Sequence, residues 1–279
     1  MATTDLHFVC GALHPTKRGI RFLGGNVDDG VQVDAAAVAM VAGNHTKGTL
    51  TAWVMVPDNT GTYAFFGAGD ANAVEYMYAS VTAGVIKVKF VLAGPTTQIE
   101  VTTPVNSIKP HTWHHIAIVQ DSEFLKIYID GTLQTLTWTD STDPGQWFED
   151  LNNIDGAHIG ARDSVGGDAA LTDEFKGYIS DVRIWSGTAS TNALTVAQVK
   201  QVMNGASVGS PHNWWTLDSS VVDLGTGADN GTIVGDLIYS DGNEFSSRLT
   251  FLETVPLAAD NVTICADKGV GFAYSILAA

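Results

Sequence analysis

The chain has 279 residues, of which 30 are Asp or Glu and 14 are Lys or Arg, and its formal net charge is -16. Hydrophobic residues make up 45% and charged residues only 16%, so the chain can bury a sizeable core and is not disordered as a whole. The excess of negative charge repels phosphate backbones and anionic lipid headgroups. We therefore expect neither nucleic acid nor a membrane as partner, which leaves sugars, cations and other proteins.

The two cysteines and the first residues bear on the compartment. Cys10 and Cys265 lie near opposite ends of the chain, and their spacing leaves open whether they pair. The N-terminal residues lack the basic and apolar regions of a secretory leader, and no run approaches the roughly 20 apolar residues of a membrane helix. The expectation is synthesis in a cytoplasm, unless a leader is missing from this sequence.

Short β-rich runs separated by Gly, Asp, Asn, Pro and Ser recur along the chain, which predicts an all-β protein. Residues 85–92 place Lys87 and Lys89 opposite Ile86, Val88 and Phe90, a pattern typical of a strand with one solvent-facing side. Further strands are predicted at residues 20–24, 49–56, 63–67, 74–79, 98–103, 113–119, 125–129, 132–138, 157–160, 176–185, 212–217 and 232–239.

Two local signals add a hairpin and a helix. Asp130-Gly131 between two strand-like runs is the strongest hairpin signal in the sequence. One short helix is predicted after Thr195, which can cap it, with Val199, Val202 and Met203 on its apolar side and an end at Gly205.

The pattern of the chain changes after residue 240. We expect an N-terminal arm over residues 1–19, one β domain over 20–240 and a β-rich C-terminal extension over 241–279. The extension is too apolar for a free tail, so we expect it to dock on the β domain, on residues 6–13 or on another subunit. We favour the last, a segment for attachment to or assembly with another subunit.

Several motifs in this order resemble a known family. They are FLG at 22–24, DDGVQV at 28–33, TLTAWV at 49–54, WHHIAIV at 113–119, LKIYIDG at 125–131 and FKGYISDVRIW at 175–185. The chain resembles the laminin-G-like domains of the concanavalin A-like lectin/glucanase superfamily over about residues 20–240. The resemblance implies a two-sheet antiparallel jelly-roll sandwich. In many members a segment like HNWWTL, here at 212–217, precedes the first motif, whereas here it follows the last.

The resemblance and the strand pattern predict a core. The residues expected to be mostly buried, in or beside that core, are Trp53, Trp113, Ile116, Ile118, Ile127, Ile129, Ile159, Ile179, Val182 and Ile184. His114 and His115 suggest a metal site, but adjacent strand residues face opposite sides, so we interpret the pair as structural. Arg183 is expected to pair with a carboxylate such as Asp181.

No catalytic residues are predicted. Glucanases of this fold use carboxylates in a Glu-x-Asp-x-x-Glu pattern along one strand, and the sequence lacks it. Its nearest carboxylate clusters are Asp121 with Glu123, Glu149 with Asp150, and Asp173 with Glu174. We therefore predict a protein that is not an enzyme.

Calcium is the one cofactor that the sequence suggests. Asp163, Asp168 and Asp173 lie in a Gly-containing loop between two strand motifs, and Ca²⁺ prefers oxygen ligands from flexible loops. The alternative interpretation is that these are solvated surface carboxylates.

Two functional hypotheses from different classes remain. The first is a surface-displayed virion protein, such as a phage head decoration or fibre protein, which assembles with capsid subunits as a homo-oligomer and is made in the host cytoplasm. The second is a glycan-binding module or lectin of an extracellular protein. Aromatic residues near loop tips are candidates to stack on sugar rings: Tyr63, Trp138, Trp147 and Tyr239. The hypotheses are compatible, because a virion protein can also adhere to glycans.

Overall fold

The computed structural model describes residues 17–24, 29–71, 74–92, 94–152, 154–163 and 171–240. From Arg18 onward these residues belong to one unit, Arg18–Gly242. Both cysteines, Asp168, most of the predicted N-terminal arm and all of the predicted C-terminal extension lie outside the described residues. The boundaries of those two segments therefore stay predictions.

Most described residues in regular structure are in strands. The strands are β1 Ile20–Phe22, β2 Gly30–Gln32, β3 Lys47–Met55, β4 Thr62–Gly69, β5 Tyr76–Thr82, β6 Val85–Leu92, β7 Thr96–Thr102, β8 His114–Gln120, β9 Lys126–Ile129, β10 Thr132–Leu133, β11 Thr137–Asp140, β12 Gly156–Ile159, β13 Arg162–Asp163, β14 Leu171–Thr172, β15 Gly177–Gly187, β16 Asn213–Trp215, β17 Thr232–Val234 and β18 Ile238–Tyr239. The helices are α1 Asp34–Ala42 and α2 Val196–Met203, with 3-10 turns at Phe148–Asp150 and Ser190–Asn192.

These strands form two large antiparallel sheets. Sheet A has the order β10-β9-β8-β3-β15-β1-β18, and sheet B has the order β11-β7-β6-β5-β4-β12-β2-β17. Strands β13 and β14 form a separate two-stranded ribbon. The predicted all-β fold, a two-sheet jelly-roll sandwich, is confirmed.

The displaced HNWWTL segment occupies an edge of β15. Residues Tyr178 and Ile179 of β15 pair with β1, whereas Val182 to Ile184 pair with β16. The two short strands therefore share the same side of β15 from opposite ends of the chain. Either end of the chain can supply a strand at this position, because chain termini lie at the surface and are often close together.

The core lies between the sheets. Eight predicted core residues are buried, and Ile116, Ile118 and Ile127 belong to the main apolar cluster. The other two, Trp53 and Trp113, are partly exposed and lie outside the main apolar cluster. Trp53 lies on the outer side of β3, its ring 5.3 Å from that of His115, because its neighbours Ala52 and Val54 take the inner side.

A second apolar cluster covers the outer face of sheet A. Ala117, Val119 and Trp185 from the sheet pack there against Val199 and Val202 of α2. Thr195 caps α2 by accepting the backbone N–H of Gln198 at 3.4 Å, as predicted. The alternation that separates Ile116 and Ile118 from Ala117 and Val119 is why β8 is buried on both faces.

Helix α1 was not predicted. Its sequence, DAAAVAMVA, is apolar almost throughout, so it lacks the polar face that makes an amphipathic helix recognisable. Its small residues Ala36 and Ala37 are buried together with Met40. Asp34, in the first turn, accepts the Ala157 backbone N–H at 2.7 Å and joins the helix to β12.

The predicted hairpin forms at Asp130-Gly131, which have φ values of 50° and 71° and join β9 to β10. The run after it, residues 132–138, divides between the sheets, since β10 pairs with β9 in sheet A and β11 pairs with β7 in sheet B. His114 Nδ1 lies 2.8 Å from Asp130 Oδ2. Burial alone would raise the pKa of Asp130, but the hydrogen bonds from His114 and from the His115 backbone N–H, together with the electrostatic effect of both histidines, outweigh burial and hold that pKa below its usual value.

Gly160 tests how tightly the core is packed. It has φ of 91°, and an added Cβ would overlap the buried ring of Phe22. Gly205 also has positive φ, 82°, but has no atom within 4 Å of an added Cβ. We expect Gly205→Ala to cost about 1 kcal/mol of unfolding free energy from backbone strain alone. Gly160→Ala should cost about 1–3 kcal/mol more, because it also overpacks the core.

Urea unfolding monitored by tryptophan fluorescence measures both variants. Equal losses for Gly160→Ala and Gly205→Ala would contradict the close contact between Gly160 and Phe22.

Candidate ligand-binding surface on sheet B

The outer face of sheet B is polar because its strands alternate. In β5, Met77, Ala79 and Val81 belong to the core, so Tyr76 and Tyr78 project outward. A register-matched row crosses the outer face from β2 to β7: Gln32, His158, Gly67, Tyr78, Lys89 and Glu100. The predicted solvent-facing side of β6, with Lys87 and Lys89, forms part of this surface.

Gly67 gives the row a gap that the β13–β14 ribbon fills. A Cβ at Gly67 would lie 2.9 Å from the Arg162 Cα and 2.8 Å from the Ala161 oxygen, so only glycine admits the ribbon so closely. The ribbon thereby brings Arg162 over sheet B. Its guanidinium carbon lies 5.1 Å from the centre of the Tyr78 ring and 5.8 Å from that of Tyr76.

The two tyrosines form a small aromatic platform. Their ring centres are 6.1 Å apart and their planes are inclined by 23°, which is a stacked arrangement. Tyr76 is half-buried, whereas Tyr78 is 5% exposed and lies deeper. A cation above such rings is held by the ring quadrupole, so Arg162 has a fixed position.

Ion pairs complete the surface. Arg162 Nη1 lies 2.9 Å from Asp173 Oδ2, and Glu100 receives Lys87 at 2.6 Å and Lys89 at 2.9 Å. Burial alone would raise the pKa of Glu100, but hydrogen bonds from the two lysines outweigh burial and hold the pKa below its usual value. The surface thus combines three cations with two carboxylates on a strongly acidic chain.

Two predicted calcium ligands have different partners. Asp163 is fully buried, its Oδ2 3.6 Å from His158 Nδ1, whereas Asp173 pairs with Arg162. Asp168 lies outside the described residues. Within the described ranges, no group of three or more His, Cys, Asp or Glu side chains is arranged to hold a metal ion. The calcium site therefore stays a sequence-based prediction.

Two of the predicted sugar-stacking residues belong to the core. Trp147 is fully buried and its Nε1 donates to Ser186 Oγ at 3.0 Å, so its assignment as a surface platform was wrong. Tyr63 is 9% exposed and its hydroxyl donates to Asp58 at 2.7 Å. Loop-tip position in the sequence did not identify exposure, because both rings fold back into the main apolar cluster.

The other two candidates stay at the surface but far apart in the topology. Trp138 lies in β11 and is half-buried, its ring 5.4 Å from that of Phe124, which is 57% exposed. Tyr239 lies in β18 and is 36% exposed. Trp138 is on β11, one edge strand of sheet B, and Tyr239 is on β18, an edge strand of sheet A, so the structure does not combine them in one site.

Sequence reasoning missed Tyr76, Tyr78 and Arg162. The signal for the tyrosines was present, since Tyr76-x-Tyr78 has the same two-residue spacing as Lys87-x-Lys89. Arg162 carried no such signal, because the ribbon that positions it depends on the gap at Gly67.

The nearest carboxylate clusters serve structural contacts. Asp121 pairs with Lys126, Asp173 pairs with Arg162, and Asp150 accepts the Trp147 backbone N–H at 2.9 Å. Burial raises the pKa of Glu149 and of Asp150. Arg183 forms the predicted pair with Asp181 through Nε at 2.8 Å.

Comparison with known proteins identifies the family. A family model described as the concanavalin A-like lectin/glucanases superfamily, of the laminin G type, matches residues 24–200. The chain belongs to this superfamily. No curated protein sequence matches the chain.

Several solved structures share the fold. The carbohydrate-binding module CBM40 of Ruminococcus gnavus IT-sialidase is 16% identical, with a TM-score of 0.51, and the match covers 67% of this chain and 96% of that one. A heptameric SAP-like pentraxin from Limulus polyphemus is 15% identical, with a TM-score of 0.51, and the match covers 82% and 96%. A leech intramolecular trans-sialidase is 17% identical, with a TM-score of 0.50, and the match covers 74% and 30%. At these identities the likeness shows the fold alone.

The helices give one further observation. Neither α1 nor α2, the α-helices of the described part of the chain, is long and apolar enough to cross a membrane.

The Tyr63–Asp58 hydrogen bond predicts a pH effect. The pKa of Asp58 is lowered to about 2, first by the Thr60 backbone N–H and then by the Tyr63 hydroxyl, while burial raises the pKa of Tyr63 to about 12. Tyr63→Phe should raise the pKa of Asp58 partway toward its ordinary value of about 3.9. The stability that the low pKa provides is complete above about pH 3.9 and is lost as pH falls through the folded pKa.

NMR titration of the Asp58 carboxyl measures the shift directly. The stability difference between Tyr63→Phe and the wild type should also shrink from about pH 7 to about pH 2. An Asp58 pKa unchanged by the substitution would exclude the coupling.

Proposed function

We propose that this chain is a non-catalytic glycan-binding module whose ligand lies on the outer face of sheet B, across Tyr76, Tyr78 and Arg162. The observation that carries the proposal is the fixed guanidinium above two stacked tyrosine rings. Aromatic faces contact the C–H faces of sugar rings, while nearby charged groups bond to hydroxyls, and such a combination is typical of binding sites. The superfamily and its fold support this class of function.

The charges on this surface favour an acidic glycan. Arg162, Lys87 and Lys89 exceed the two carboxylates that they contact, so the surface carries a local positive charge on a chain of net charge -16. A guanidinium presents paired N–H donors that match a carboxylate. We therefore propose a carboxylate-bearing sugar as the ligand. The Ruminococcus gnavus module has also been solved with α2,3-sialyllactose bound to it, which makes sialyllactose a suitable first probe.

The proposal of a non-catalytic role rests on the carboxylates. A retaining glycosidase needs two carboxyl groups about 5–5.5 Å apart with free oxygens. The clusters nearest to that pattern contact Lys126, Arg162 and the Trp147 backbone instead.

The tyrosine platform can be tested by a matched pair of variants. Tyr76→Ala should weaken sialyllactose binding about tenfold or more, as expected for a central aromatic contact. Tyr239→Ala makes the same chemical change on sheet A and should leave the affinity unchanged. Isothermal titration calorimetry with sialyllactose and with lactose measures both variants.

Two results would overturn the proposal. One is equal binding of lactose and sialyllactose, which would remove the role of the acidic group. The other is loss of binding in Tyr239→Ala but not in Tyr76→Ala, which would place the glycan at the candidate that the sequence predicted.

We also propose that the domain is displayed in a larger assembly, with a virion surface as the first case and an extracellular protein as the alternative. Two edge strands, β17 of sheet B and β18 of sheet A, support a subunit contact. They are joined by residues 235–237, and exposed apolar side chains lie on these strands and in the segment that precedes β17. They are Val222 at 47%, Leu224 at 56%, Ile233 at 37% and Ile238 at 47% exposure. Exposed apolar residues in such number are typical of a protein interface.

The full-length chain should therefore self-associate or bind a capsid subunit. We expect Leu224→Ser with Ile238→Ser to lower the molar mass found by light scattering, whereas the exposed substitution Val105→Ser should not. Mass spectrometry of purified virions tests the location. A monomeric wild-type chain that is absent from virions would contradict the assembly role.

A further inference from the structure

The outer face of sheet A contains a cleft that the surface on sheet B does not include. Its volume is about 280 Å³, and it lies between β8, β9 and the residues that lead into α2. Binding pockets for drug-sized ligands span about 300–1,000 Å³, so this volume suits a ligand of one ring.

The floor of the cleft is apolar and firmly packed. Val119, Tyr128 and Leu194 line it, and they are only 3%, 6% and 3% exposed as members of the second apolar cluster. The Thr49 hydroxyl fixes the wall that ends at Leu194, since it donates to the Asn192 carbonyl at 2.8 Å and accepts the Leu194 N–H at 2.9 Å. The cleft is therefore preformed, which lowers the entropy cost of binding.

The rim of the cleft is polar but carries no net charge. Asp121 and Lys126 line one side as an ion pair, and the exposed Ser190 lines the other. The hydrogen bond with Asp121 is the main reason that the pKa of Lys126 is raised. Asp121 Oδ1 is buried and has no hydrogen-bond donor within the part of the chain that the structure describes. The Asp121 side chain as a whole is 31% exposed, so the oxygen that a ligand can reach is Oδ2. It can accept a ligand hydroxyl beside Lys126, because a carboxylate oxygen accepts more than one hydrogen bond.

We propose that this cleft binds one neutral pyranose ring, with a C–H face on Val119, Tyr128 and Leu194 and with ring hydroxyls bonded to Asp121 and Ser190. The site is independent of the sheet B surface, because it lies on the other sheet and shares no residue with it. The chain then contains two glycan sites of different charge preference.

The charge balance selects the neutral class. An anionic sugar would gain Lys126 only by displacing Asp121 from it, and would meet the field of a chain of net charge -16. A cationic ligand would likewise gain Asp121 only by displacing Lys126 from it. A neutral ring instead adds hydroxyl donors and acceptors without breaking the ion pair.

The experiment uses the full chain with methyl glycosides of glucose, galactose and mannose as neutral probes and methyl glucuronide as the anionic probe. Chemical-shift changes in ¹⁵N-labelled protein should appear at Tyr128 and Leu194 with at least one neutral probe. Ser190→Phe, which places a ring at the exposed rim, should abolish them. Asp121→Asn should weaken binding about tenfold or more. Lys200→Met, on the exposed side of α2, is the matched surface control and should leave the affinity unchanged.

Further measurements separate this site from the sheet B surface. Tyr76→Ala should leave methyl glycoside binding intact, and Ser190→Phe should leave sialyllactose binding intact. The inference is overturned if no neutral probe shifts the cleft resonances, if the shifts persist in folded Ser190→Phe protein, or if methyl glucuronide binds more tightly than every neutral probe. If the wild-type chain binds a neutral methyl glycoside but not sialyllactose, the function proposed for sheet B is overturned and the cleft stays supported.

Discussion

The two-residue period of strand β5 is the constraint on which the candidate surface depends. Met77, Ala79 and Val81 bury their side chains between the sheets, so Tyr76 and Tyr78 must face outward. A slip of one residue would exchange the two sets. Burying each large apolar side chain contributes about 1.5–3 kcal/mol, and a whole domain is stable by only about 5–15 kcal/mol. The energy of the core therefore fixes which aromatic residues a ligand can reach.

The two outer faces of the sandwich are covered in different ways. On sheet B, the absence of a side chain at Gly67 lets the β13–β14 ribbon approach closely, so that Arg162 lies over the tyrosines of β5. The charged side chains of β6 and β7 lie on the same outer face. On sheet A, the segment around α2 buries apolar residues against β8, β9 and β15, and leaves a cleft where that segment meets the Asp121–Lys126 pair. One outer face is therefore a charged surface around an aromatic platform, and the other is an apolar layer with a cleft.

Many acidic side chains of this chain organise its backbone. The Asp223 carboxylate accepts the backbone N–H groups of Trp214, Gly225 and Asp229 at 2.6, 2.7 and 2.8 Å and an Asn213 side-chain N–H at 2.7 Å. Asp58 and Asp130 likewise accept the backbone N–H groups of Thr60 and His115, and Asp181 accepts the Arg183 Nε–H. A carboxylate has two oxygens with about four acceptor positions, so one Asp side chain can satisfy several N–H donors at once. The surplus of Asp is therefore partly a means of fixing loops and strand ends in a β sandwich.

The sequence by itself determined the fold class, most strands, the Asp130-Gly131 hairpin, the capped helix α2 and the pairing of Arg183 with Asp181. These features depend on local periodicity, turn chemistry and motifs that few residues encode. Helix α1 was not predicted from the sequence, because its residues are apolar almost throughout and show no helical periodicity. Only the tertiary structure decided that Trp147 and Tyr63 are core residues, that Asp163 and Asp173 face different partners, and that Arg162 lies over Tyr76 and Tyr78. Those outcomes follow from which strands become neighbours and how closely the ribbon can approach Gly67, and contacts between residues far apart in the chain leave no pattern in a single sequence.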